Sequence, residues 1–268
     1  MAKVLEDYPL YFDAVNEHGL AMAGLRFAES AQYQEPDQQL HNVASFELIP
    51  YLLGKCRSVS EAERLLQSIC VTNFRFLETL PPAPLHWLLA DREGSLAVEV
   101  TSSGLQLYPN PANILTNEPP FPLQWEELAL HRARFPEPLQ KKFFSEENTA
   151  EPPLPVPGET TSPARFVRGA IVLANAHRPV GISESVHQVF HILGSVGQVQ
   201  GCGSSPLYRT VYSACCGLDS CIYYYRTYHS GETVAVRLFA EDPDGAYLIL
   251  HPLREETGIL QETPLRHP

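Results

Sequence analysis

The chain has 268 residues, with 19 Lys and Arg against 31 Asp and Glu, a net charge of −12. That acidity argues against non-specific nucleic-acid binding and against docking on an anionic membrane surface. It leaves room for a small anionic substrate, because one local Arg can outweigh the global field. Hydrophobic residues make up 44% and charged residues 19%, so a sizeable core can form and the chain is no disordered polyelectrolyte.

No uninterrupted apolar run reaches the roughly 18 residues of a membrane-spanning helix. The start, Met1-Ala2-Lys3-Val4-Leu5-Glu6-Asp7, has no apolar leader, and the chain reads as cytoplasmic. Its cysteines (Cys56, Cys70, Cys202, Cys215, Cys216 and Cys221) then read as free, buried, inert thiols. None shows the paired spacing of a zinc site.

In chain order, residues 8–27 read as a β-hairpin. Tyr8–Val15 is rich in aromatic and β-branched residues, Asn16-Glu17-His18-Gly19 supplies the turn, and the apolar run Leu20–Leu25 returns. Such a run predicts a strand buried on both faces. Residues 42–54 and 60–69 read as helices. Ser58-Val59-Ser60-Glu61 fits a capping box, and Ala62, Leu65, Leu66 and Ile69 share one helical face. Strands are predicted at 84–90, 95–101 and 104–108, with turns at Asp91–Gly94 and Ser102–Gly104. A short strand at 113–116 ends at Asn117-Glu118-Pro119-Pro120.

The Pro-rich stretch 134–163 reads as a long surface loop. Helices follow at 164–176 and 183–196, then strands at 209–215, 221–228 and 233–239. Beyond 240 there are weak strand signals and a polar tail. With no internal repeat and no domain boundary, residues 1–268 read as one α+β domain, helices layered on largely antiparallel sheets.

No self-contained catalytic motif is present: no G-x-S-x-G, Walker A, G-x-G-x-x-G or H-E-x-x-H. His187 and His191 have a spacing that can bind a metal on one helix face. No third ligand accompanies them, and one core and one surface His is the plainer reading. The run Ile222-Tyr223-Tyr224-Tyr225 reads as strand packing rather than a stacking platform. Two features stand out. Asn117 follows an apolar strand, where its amide can either donate to a developing oxyanion or cap a turn. Arg165 falls in the first turn of a predicted helix, where the macrodipole disfavours a cation. It is either a solvated Arg beside acidic loop residues or one held by a specific partner.

Read together, several segments resemble the choloylglycine hydrolases, the family of bile salt hydrolases and penicillin V acylases. Tyr8–Leu25 is similar to the family's YP-x-YFD-x-x-NE-x-GL-x-x-AGL segment, Leu85-His86-Trp87 to its LHW strand, and Leu115-Thr116-Asn117 to its LTN turn. Pro163–Arg168 is similar to its RF-containing helix start, and Phe190–Leu193 and Ile222–Tyr228 to its late segments. The matches run in family order across almost the whole chain and lie nearer to the bile salt hydrolases than to the penicillin acylases.

The resemblance implies a four-layer αββα N-terminal-nucleophile hydrolase that cleaves a linear amide such as a conjugated bile acid. It implies no metal or other cofactor, no nucleic-acid or membrane partner, and possible homo-oligomers. It also implies roles: Asn117 matches the family's catalytic Asn, and Arg165 its active-site Arg. Arg26 stands where the family's AGLNF motif has the Asn of the oxyanion hole; it also donates, but it is longer and charged. The family's nucleophilic N-terminal Cys has no counterpart at Met1-Ala2, and its GLPGD stretch is replaced by Leu154–Thr160. The expectation is therefore a family member truncated at its N-terminus and inactive as written. The alternative is a degenerate member that binds bile-acid-like amphiphiles or oligomerises with active copies.

Overall fold

The computed structural model describes residues 1–135, 154–202, 208–242, 244–245 and 247–254. The chain opens on two short strands, β1 (Ala2–Leu5) and β2 (Tyr8–Tyr11), paired antiparallel. At Phe12 it bends and changes partner, and β3 (Asp13–Val15) forms a hairpin with β4 (Ala21–Arg26). The expected 8–27 hairpin is thus confined to its turn-proximal half, because Tyr8–Tyr11 spends its ladder bonds on residues 2–5. Asn16 explains the turn. Its Oδ1 accepts from the backbone N–H of His18 and Leu20, while its Nδ2 donates to the carbonyls of Leu53 and Cys56. One buried amide so closes the turn and anchors it to the next helix.

The central sheet is antiparallel, ordered β3-β4-β7-β8-β9, with β7 at Leu85–Ala90, β8 at Ser95–Thr101 and β9 at Gly104–Pro109. The three predicted strands here agree with the structure to within a residue. The doubly buried strand, however, is β8, all of whose residues but Thr101 are buried; in β4 only Met22 is. β8 lies between β7 and β9, whereas β4 has only the short β3 beyond it.

Alternation assigns the two faces. Met22, Trp87, Leu89, Leu96, Val98 and Val100 point one way and pack against α1 (Leu48–Leu53) and α2 (Val59–Leu66). Leu25, Leu88, Ala97 and Tyr108 point the other way, toward α3 (Phe121–Ala133) and α4 (Ser162–Asn175). At its β3 end this second face meets a three-stranded antiparallel sheet of β10 (Tyr212–Gly217), β11 (Ile222–Thr227) and β12 (Val234–Arg237). Tyr212 and Tyr223 both donate to the Asp13 carboxylate there, and α5 (Ile182–Val196) packs on β10. Helices layered on antiparallel sheets are the α+β arrangement expected. The tyrosine run is strand packing, with Tyr225 buried.

Other expectations need correction. Residues 42–44 belong to a strand, β5 (His41–Ala44), paired parallel with β6 (Ile69–Thr72). Ile69 continues the helical period of α2 only by coincidence: β6 is a wholly buried Ile-Cys-Val-Thr run, the composition of an interior strand. The cap itself is as expected, Ser58 Oγ accepting from Glu61 N–H. Glu61 reaches back one residue farther, to Arg57 N–H.

Residues 113–116 are not a strand, and α3 follows in a stretch that the sequence led us to leave without structure. Pro120 and Pro122 flank its first residue, and a helix tolerates Pro in its first turn, where the missing N–H would have no partner. Of the predicted 134–163 loop, residues 136–153 lie outside the described residues. Its described end is not a free surface: Leu154 is buried between α3 and α4, and the Pro155 carbonyl accepts from His131 Nε2. Beyond 240 the described residues form no strand. Nor are the cysteines uniformly buried. Cys56, Cys70 and Cys221 are, Cys215 and Cys216 are half-buried, and Cys202 is exposed; all six are free thiols.

Candidate active site

Asn117 and Arg165, 48 residues apart in sequence, meet directly: Arg165 Nη2 donates to Asn117 Oδ1 at 2.7 Å. Asn117 Nδ2 donates in turn to the Arg26 backbone carbonyl at 3.0 Å. These partners fix the amide's orientation, because a guanidinium only donates and a carbonyl only accepts. One Nδ2 hydrogen is therefore committed to Arg26, and the other remains for a ligand. The cation on Oδ1 polarises the amide and strengthens that remaining donor.

The Arg165 side chain also donates from Nε to the Thr160 carbonyl. Its burial, and then the charge of Arg168, hold it below the ordinary arginine pKa. Its specific partner proves to be an amide oxygen.

The turn that presents Asn117 is built on buried polar groups. The fully buried Gln124, from α3, accepts from Thr116 through Oε1 and donates to the carbonyls of Asn117 and Pro119. Thr116 Oγ1 donates to the Ser162 carbonyl and so ties the turn to the start of α4. From below, His86 Nε2 lies 2.6 Å from the Thr116 carbonyl and Nδ1 lies 2.9 Å from Glu99 Oε1. The carbonyl can only accept, so Nε2 is the nitrogen that donates to it, and Nδ1 faces the carboxylate. Glu99 Oε1 also accepts from Phe121 N–H, at the first residue of α3. Beside Asn117, the Glu118 carboxylate accepts from the N–H groups of Glu29 and Ser30 and from Ser30 Oγ. This clamps the segment after β4 to the Asn117 turn.

These residues border a pocket of about 640 Å³ that brings Arg26, Asn117 and Arg165 together. The Arg26 side chain makes no hydrogen bond to Asn117. Its guanidinium lies over the Tyr208 ring, 5.2 Å from the centroid, and Arg209 and Cys202 share the wall. A second pocket, of about 240 Å³, is lined mainly by apolar residues including Phe12, Phe46, Phe76, Leu80 and Leu85. Arg26 borders the first pocket, and its ladder partner Leu85 lines the second. The pair His187 and His191 lies away from both pockets: His187 Nδ1 faces Arg226 Nη2 at 3.2 Å. Among the described residues no group of three or more His, Cys, Asp or Glu is placed to hold a metal. No helix of the described residues is long and apolar enough to cross a membrane.

The three residues singled out in the sequence, Asn117, Arg165 and Arg26, border one pocket; the sequence reading did not single out His86, Glu99, Gln124, Glu118 or the Tyr208-Arg209 wall as their surroundings. A signal existed for two of them. His86 and Glu99 interrupt otherwise apolar strands, and a polar residue at an inward position requires a partner.

Solved structures place the fold among the N-terminal-nucleophile hydrolases. A mutant of the conjugated bile acid hydrolase from Clostridium perfringens superposes with a TM-score of 0.81 at 26% identity, over 97% of this chain and 82% of that one. The penicillin V acylase from Agrobacterium tumefaciens shares the fold, with a TM-score of 0.67 at 19% identity, over 85% of this chain and 66% of that one. In sequence, the chain is 41% identical over 260 residues to a bile salt hydrolase/transferase of Lactiplantibacillus plantarum, covering 94% of this chain and 80% of that protein. The family model for linear amide C–N hydrolases, choloylglycine hydrolase family, matches residues 1–251. The chain belongs to the choloylglycine hydrolase family.

Proposed function

We propose that the protein acts on the linear amide bond of conjugated bile acids, with Asn117 as the amide donor to the carbonyl oxygen and Arg165 as the group that polarises and orients it. The observation that carries this reading is the 2.7 Å bond from Arg165 to Asn117 Oδ1, which leaves an N–H of Asn117 free to meet negative charge developing on a substrate oxygen. A pocket bordered by Arg26, Asn117 and Arg165 and a second lined mainly by apolar residues suit an amphiphile with an amide near its polar end. The names of the relatives agree with that substrate. Release of glycine or taurine from glycocholate or taurocholate, quantified in the amine product, tests the reading.

A second reading, binding without turnover, is favoured by one observation. Arg26 stands where the family resemblance implies an Asn, and its side chain turns to Tyr208 instead of toward Asn117. Saturable binding of glycocholate with no glycine release would select it. The reading extends to a cytoplasmic protein that assembles as a homo-oligomer, which fractionation and sedimentation would test.

A further inference from the structure

The geometry points to an anion subsite in the polar pocket, formed by Arg26 and Arg209, that takes the terminal carboxylate or sulfonate of the amide's amine half. The inference rests on the function proposed above and specifies which part of that substrate the pocket wall recognises.

Three guanidiniums, those of Arg26, Arg165 and Arg209, border one pocket in a chain whose net charge is −12. None of the three lies within ion-pair distance of a carboxylate among the described residues; the ion pairs there involve other groups. Two carboxylates share the pocket. That of Glu118 is taken up by Glu29 N–H, Ser30 N–H and Ser30 Oγ, and that of Glu29 lies at the same rim without reaching a guanidinium. Arg165 is engaged by Asn117 and Thr160, which leaves Arg26 and Arg209 to meet an incoming charge.

Both are held in a way that suits an anion. Arg26 lies over Tyr208, and Arg209 lies over Tyr228 at 5.0 Å from the centroid. Stacking engages the face of a guanidinium and leaves its in-plane N–H donors available, which is how Arg grips a carboxylate or sulfonate through two bonds. Arg209 uses one nitrogen on Gln200, whereas the Arg26 side chain makes no hydrogen bond to the described residues. The N-terminus of α4, whose Thr160, Thr161 and Ser162 border the pocket, adds the positive end of a 14-residue helix. Because Asn117 contacts only the backbone of Arg26, the side chain can bind the far end of a substrate whose carbonyl sits at Asn117.

The test compares glycocholate with its uncharged methyl ester by calorimetric titration of the full chain, wild type against Arg26→Gln and Arg209→Gln. Circular dichroism spectra and melting curves verify that the variants fold. Wild type is expected to bind the carboxylate form about tenfold or more tightly than the ester. Arg26→Gln is expected to bring that ratio near unity while leaving ester affinity unchanged. Equal binding of acid and ester by wild type, or a ratio retained in both variants, would overturn the subsite and leave the proposed function standing. If neither bile amide binds, N-acetyltaurine is titrated in its place. Binding that Arg26→Gln abolishes would keep the subsite and discard the bile-acid reading, and no binding would discard both.

Discussion

His86 and Glu99 face each other across β7 and β8, one step along the ladder from the Trp87–Val98 pair, with Nδ1 2.9 Å from Oε1 and neither side chain exposed. The same histidine supports the Thr116 carbonyl, so the stability of the sheet and the placement of Asn117 depend on one buried contact. Removing either partner strands a polar group in the core. Glu99→Ala is expected to lower unfolding free energy by about 3 kcal/mol or more, read as a fall in the urea midpoint. A midpoint within experimental error of wild type would show that the pair carries no net stabilisation.

Asn117→Ala removes both the acceptor for Arg165 and the free amide donor. The donor matters chiefly when charge develops on the substrate oxygen, so the loss should fall on turnover rather than on binding. Where the wild type hydrolyses glycocholate, the variant is expected to be slower by roughly 10²–10³ in kcat with little change in KM. A variant whose loss lies wholly in KM would make Asn117 a binding group only.

Gly19 takes a left-handed conformation, φ +79°, in the turn between β3 and β4, and a Cβ there would lie 2.9 Å from the Leu218 carbonyl oxygen. Gly19→Ala therefore meets a backbone penalty of about 1–2 kcal/mol as well as a clash where the hairpin meets the β10–β11 turn. A clear fall in melting temperature is expected; an unchanged one would mean that the turn rearranges freely.

Burial, reinforced by Asp13 and Cys215, pushes the Cys216 thiol from its ordinary 9.0 up to about 12. Burial likewise raises Cys215 to about 11, against a smaller opposing effect of Arg226, and Tyr33 from 10.0 to about 12. The folded state keeps these protons where the unfolded chain has already released them, so stability falls as pH rises. The contribution is complete below pH 9 and is lost between about pH 9 and 12. Urea midpoints should hold level from pH 7.5 to 8.5 and decline above 9. A thiol reagent at pH 8 should modify the exposed Cys202 well before Cys216.

Where one physical signal dominated, the sequence was legible. Alternating strands separated by Asp91–Gly94 and Ser102–Gly104 gave β7, β8 and β9, and the Ser58 cap gave the start of α2. It misled where two signals coincided. Ile69 satisfies the helical period of α2 and the β-branched composition of β6, and only its burial beside Val43 decides between them. The α3 helix, with prolines that a first turn accepts, was not legible. In the site, Asn117 and Arg165 stand out locally because each is an odd residue for its place. Their direct bond, and the Gln124, His86 and Glu99 supports, join segments far apart in sequence. Periodicity within one element carries no information about such contacts.

The hydrogen bond from the Asn117 side-chain amide to position 26 ends on the main-chain carbonyl there. Any residue there that keeps the end of β4 in register can offer the same carbonyl to Asn117. Position 26 thus holds the Asn117 amide through its backbone whatever side chain it carries, and the side chain is left to shape the pocket wall. Relatives that differ at this position would be expected to diverge first in substrate preference, with the fold unchanged.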